Sequence, residues 1–155
     1  MFGSAESQLR RLILALLTFG VVAVGGELLA LGHDEDPWQL VPFGLIVLTL
    51  IAIAWIGLTG SAASIRALRV TMVLLLAAGG MGIVLHYRGN AEFQLEMNPA
   101  LSDWELFVKV LHAKAPPALA PGVMAQLGLL GLIYTARHPA LSAPASTRRS
   151  TDRED

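Results

Sequence analysis

Residues 40–58 read LVPFGLIVLTLIAIAWIGL, nineteen positions without one charged side chain. A helix over this stretch is about 28 Å long at 1.5 Å of rise per residue, close to the roughly 30 Å hydrocarbon thickness of a bilayer. The stretch therefore predicts a transmembrane helix, and three further runs of the same kind accompany it. Residues 12–31 hold a single charge, Glu27; residues 67–87 contain the uncharged run VTMVLLLAAGGMGIVL; residues 118–136 (ALAPGVMAQLGLLGLIYTA) carry none. Four buried helices in a soluble protein of 155 residues would leave no chain to cover them.

Composition agrees. Charged residues make up 15% of the chain and hydrophobic ones 54%, with a mean hydropathy of +0.59, whereas a soluble domain carries about 25% charged residues. The apolar content excludes disorder along the whole chain, and the absence of cysteine excludes a disulfide framework. The expectation is an all-α integral membrane protein: one domain over residues 1–137, built as a four-transmembrane-helix bundle. The polar tail, residues 138–155, is expected to be disordered and cytoplasmic.

Orientation follows from the basic residues. Arg10, Arg11, Arg66, Arg69, Arg137, Arg148, Arg149 and Arg153 fall on one side of the four spans; Arg88, Lys109 and Lys114 fall on the other, beside the acidic Asp34, Glu35 and Asp36. The positive-inside rule then puts both termini in the cytoplasm of a multi-pass inner-membrane protein. The basic inner face, at +4, and the acidic outer face, at −4, cancel, so the net charge of −1 is that of Glu27 inside the membrane. Arg10 and Arg11 with Ala23-Val24-Gly25 also fit a signal peptide, but the apolar run is longer than an h-region, so the first helix is read as uncleaved.

The outer loop, residues 88–117, has two parts. Residues 91–97 (AEFQLEM) alternate apolar and polar side chains, which suits an extended segment, either a linker or a paired strand. Ser102-Asp103-Trp104-Glu105 is a capping box that starts a short amphipathic helix, with Leu101 and Leu106 at the staple positions. On it Trp104, Phe107, Val108 and Leu111 share one face, opposite Glu105, Lys109 and His112. Trp104 and Phe107 are the expected interfacial anchors, either lying in the membrane surface or capping the bundle.

Glu27 is the charged side chain well inside a span, and intramembrane carboxylates are functional candidates by default. A structural role, reaching water or pairing with Arg88, is the competing reading. Gly25 and Gly26 in the first span, and Gly79, Gly80 and Gly82 in the third, lie at the same depth. Gly26/Ala30 and Ala78/Gly82 form small-xxx-small pairs, which predict contact between spans one and three beside Glu27. Gln126 in the fourth span is expected to face inward, where its amide finds a partner. His33, His86 and His112 all map to the outer side, so a metal or haem site is an alternative, although metal-ligand spacing is missing and no cofactor is expected.

No nucleophile–base pair, phosphate loop or nucleic-acid surface is present in the sequence. Three functional classes follow. The first is a non-enzymatic accessory or interaction subunit, embedded in the lipid bilayer and meeting another membrane or periplasmic protein through residues 91–113. The second is a small ion- or proton-coupled transporter that uses Glu27, working as a homodimer. The third is a redox or metal-handling membrane protein that uses the outer histidines.

Overall fold

The computed structural model describes residues 2–32, 37–113 and 119–142, the side chains of residues 2–4 excepted. Every regular element among them is helical. Helix α1 (Phe2–Ala30) is followed by a 3-10 turn (Pro37–Gln39) and α2 (Leu40–Thr59). After α3 (Ala62–Met97) come α4 (Asp103–Leu111), α5 (Leu119–Thr135) and the single turn α6 (Pro139–Ser142). Three of these, α1, α2 and α3, are long and apolar enough to cross a membrane. Helix α5 is apolar too but has 17 residues, or about 26 Å.

Each long helix buries one narrow stripe. On α1 it is Leu17, Val21, Val24 and Leu28; on α3 it is Ile65, Leu68, Met72 and Leu75; Met124, Leu127 and Tyr134 supply the stripe on α5. The remaining faces are apolar and exposed, including Leu12, Leu16, Phe19, Val47, Leu48 and Val73. Only 22–28% of the most apolar windows is buried. Helices that are hydrophobic all round yet buried on one stripe suit a lipid surround, where outward leucines have no water to avoid. The hydroxyls of Thr18, Thr49 and Thr71 donate to the carbonyls of Leu14, Leu45 and Ala67 four residues back, so each of these hydroxyls is satisfied within its own helix.

Local chemistry sets the breaks. Gly60 ends α2 at φ +55°, a left-handed conformation that suits glycine, and its N–H donates to Ile56 O at 2.8 Å. Ser61 then caps α3, its hydroxyl accepting from Ser64 N at 3.2 Å. Gly32, at φ +62°, follows the end of α1.

The four long helices form a ring with contacts α1–α2, α2–α3, α3–α5 and α5–α1. Helices α1 and α3 occupy opposite corners with no close approach of their backbones. The close contact expected between spans one and three is therefore replaced by contacts of each with α5. Glycines drive it. A Cβ on Gly79 would lie 2.6 Å from Ala125 N and 2.7 Å from Pro121 O; one on Gly128 would lie 2.9 Å from Met72 O; one on Gly131 would meet the Met72 sulfur. These pairings run in opposite order along the two chains, so α5 is antiparallel to α3. Gly20 faces Leu127 in the same way on α1. Of the other predicted packing glycines, Gly82 meets Pro121 and Gly25 meets Ile46 on α2, while Gly26 and Gly80 face open space.

Three further expectations change. Residues 91–97 are neither linker nor strand: α3 runs on unbroken to Met97. Six of those seven residues are strong helix formers, and they extend a helix already nucleated, so propensity outweighs the alternating pattern. Gln126 is exposed rather than inward, because Gly128 and Leu127 take the packed face of α5. The first residues of the tail, 139–142, form α6, with Ala140 and Leu141 packed against the core; residues 143–155 lie outside the described ones.

Candidate functional site

The ring does not close at the end nearest α4. Between the opposed helices α1 and α3 it opens into a cleft of about 660 Å³, walled by all four long helices. The small residues Ala78 and Gly89 hollow the α3 wall, Gly82 is packed against Pro121, and Leu28, Met81, Leu85 and Met124 make much of the rest. Polar groups enter from three elements: Glu27 on α1, Gln39 ahead of α2, and His86 and Asn90 one turn apart on α3. Trp38 completes the mouth. Among the described residues no lysine or arginine, Arg88 included, lines the cleft.

Of the predicted site residues, Glu27 and His86 are thus brought to one cavity. His112 is not: it ends α4, its ring Nδ1 donating to Val108 O at 2.8 Å. His33 lies outside the described residues. Among the described residues no group of three His, Cys, Asp or Glu side chains could hold a metal ion. Gln39, Trp38 and Asn90 escaped the sequence reading. Asn90 had a signal, since it stands four residues past His86 and eight past Gly82, and a helix continued beyond residue 87 places all three on one face.

Helix α4 packs on α3 and on no other described element. Both halves of its capping box form: Ser102 Oγ accepts from Glu105 N, and Glu105 Oε2 accepts from Ser102 N at 3.1 Å and from its hydroxyl at 2.8 Å. Those bonds, the hydroxyl first, hold the Glu105 carboxyl below its usual range. Val110 is fully buried, and the Phe107 ring lies 6.4 Å from that of Tyr87. The face predicted as the anchor is the outward one. Trp104 stacks on Phe107 at 5.6 Å and is 71% exposed, with Leu111 below it.

A second cluster sits at the opposite end. Arg10 of α1 donates to the carbonyls of Tyr134 (2.7 Å), Ala136 and Arg137, while Glu6 accepts from its Nη2 at 2.9 Å. Arg69 of α3 donates to Thr135 O and to Thr135 Oγ1. Two guanidinium groups from different helices therefore satisfy the last carbonyls of α5, where the helix dipole is negative. His138 follows, accepting from Ala140 N at 3.2 Å and resting on the Tyr134 ring at 5.4 Å. Burial, then the Arg10 charge, pushes its imidazole below the ordinary value, with Glu6 opposing. The sequence showed these arginines only as topological signals.

No protein-family model, curated protein or solved structure matches the chain.

Proposed function

We propose that the chain crosses the inner membrane four times, with both termini in the cytoplasm, and serves as a non-enzymatic interaction subunit whose partner docks on the α3–α4 hairpin. The fourth crossing is α5, which runs beside α1 and α3 from the Arg10–Arg69 cluster to Pro121; its length of about 26 Å falls slightly short of the roughly 30 Å hydrocarbon thickness, a mismatch that local thinning of the bilayer accommodates. The positive-inside bias supports the orientation.

The hairpin carries the reading. Met97 stands ten residues beyond Tyr87, so α3 rises about 15 Å past the aromatic level at which a span would end. Val110 and the Tyr87–Phe107 contact hold α4 firmly along that extension. The outward side remains apolar, with Phe93, Met97, Trp104 and Leu111 all exposed. A rigid projecting element with an uncovered aromatic stripe is what a protein partner engages, and aromatic anchors dominate such interfaces.

The chain has no cysteine, so single-cysteine variants report topology cleanly. Cysteines at positions 97 and 142 should react with membrane-impermeant maleimide from opposite sides of sealed vesicles. For the partner, a photocrosslinking residue at position 104 in native membranes should give one discrete heteromeric adduct that Leu111→Asp abolishes. Adducts to lipid alone would reject the interaction reading and leave α4 as a membrane-surface element.

A further inference from the structure

The cleft is independent of the hairpin's exposed stripe, and its lining has a definite sign. Glu27 lies seventeen residues beyond Arg10 on the same helix, about 26 Å along the axis. With Arg10 at one boundary of the hydrocarbon, the carboxylate stands close to the other, and the apolar floor below it lies at membrane depth. The cavity of about 660 Å³ falls within the range that takes a drug-sized molecule. Among the described residues its lining offers one acidic side chain, no lysine or arginine, and an exposed indole at the mouth. A single carboxylate beside an aromatic face favours a weakly hydrated cation with a bulky apolar body, which surrenders little hydration on leaving water or headgroups. An anionic amphiphile of the same shape meets the repulsion of the Glu27 carboxylate there.

We infer that the cleft between α1 and α3 is a binding site for a lipophilic monocation, drawn from the membrane, whose charge is held by Glu27 against Trp38 and whose apolar body fills the space left by Ala78 and Gly89. The small residues on α3 leave room for a ligand where a helix–helix contact would have closed it.

Tetraphenylphosphonium and tetraphenylborate share size and shape and differ in sign, so the pair isolates the charge. Equilibrium dialysis of each ion against the full chain in dodecyl maltoside, less protein-free micelles, is read at about pH 8, where an imidazole is ordinarily neutral. Saturable binding of the phosphonium, at least about tenfold tighter than that of the borate, is expected. Glu27→Gln should weaken the phosphonium about tenfold and narrow the gap, and Glu27→Asp should retain most of the affinity. Leu85→Trp, which fills the apolar part, should weaken both ions. Absence of saturable phosphonium binding, or equal binding of the two ions by the unaltered protein, overturns the proposal without any variant having to fold. Native affinity in Glu27→Gln overturns it as well.

Discussion

Arg10 and Arg69 reach the last turn of α5 from two helices whose backbones make no close approach to each other, so each links its helix to α5 and neither duplicates the other. Side chains within hydrogen-bond distance of several helix-terminal carbonyls contribute more than exposed ion pairs, because their removal leaves acceptors without donors at a partly buried position. Arg10→Ala and Arg69→Ala should each lower unfolding free energy in detergent by about 1–3 kcal/mol, read as a fall in Tm by circular dichroism. Arg66→Ala, exposed on α3, should change it little. His138 adds a pH dependence at the same end. Its imidazole is pushed below the ordinary value of 6.5, so the unfolded chain binds the proton more readily than the folded one. The resulting stability is complete above that value and declines as pH falls through the lower folded-state value. A pH series of Tm should show this slope, and His138→Gln should flatten it. Glu105 works in the opposite chemical sense with the same outcome. Its depressed carboxyl stabilises α4 above the usual carboxylate value and ceases to as acid protonates it, so amide exchange within α4 should quicken at low pH.

At the scale of elements, adjacent glycines on α3 make opposite predictions. Gly79→Ala would drive a Cβ into the backbone of Ala125 and Pro121, which cannot move aside as a side chain tip would. It should separate α3 from α5 and lower stability by several kcal/mol, on the scale of overpacking. Gly80→Ala meets nothing within 4 Å and should stabilise the helix by about 0.5–1 kcal/mol. Thermal unfolding of the two variants side by side tests both. This pair also shows where sequence reading stops. The apolar runs are legible because membrane thickness fixes a length, and the capping box because its four residues act on one another. Which glycine packs is not legible, since a helix that is apolar on every face carries no pattern to say which face meets protein and which meets lipid. Spans one and three looked like neighbours for that reason. The continuation of α3 through residues 91–97 was hidden differently: Phe93, Leu95 and Met97 fit a two-residue alternation, while the helical propensity of Ala91, Glu92, Gln94 and Leu95 was the stronger signal.

The whole molecule joins helices of unequal reach, about 54 Å for α3 and 26 Å for α5. A bilayer matched to α5 leaves the end of α3 in water, where Glu92, Glu96 and the α4 hairpin belong. A thicker one would bury that end's charges or stretch the α5 connections. Stability in bilayers of graded thickness should therefore peak at short acyl chains, of about fourteen carbons, and fall toward about twenty. An unchanged Tm across the series would remove α5 as the limiting span. The same scale explains why Glu27 and His86 could be singled out from sequence while their shared cavity could not. The cavity belongs to the ring of four helices, and Gln39 and Trp38 have no local feature that assigns them to it.

Helix α5 comes after α1, α2 and α3 in the chain, yet it fills the place between α1 and α3 and accepts the hydrogen bonds of Arg10 and Arg69. During synthesis the three earlier helices enter the membrane with the tight glycine surface of α3 uncovered and both guanidinium groups lacking their final acceptors. Assembly therefore waits on the last long helix. Until α5 joins, the three earlier helices form an open set, and the cleft beside Glu27 acquires its fourth wall only when α5 takes its place.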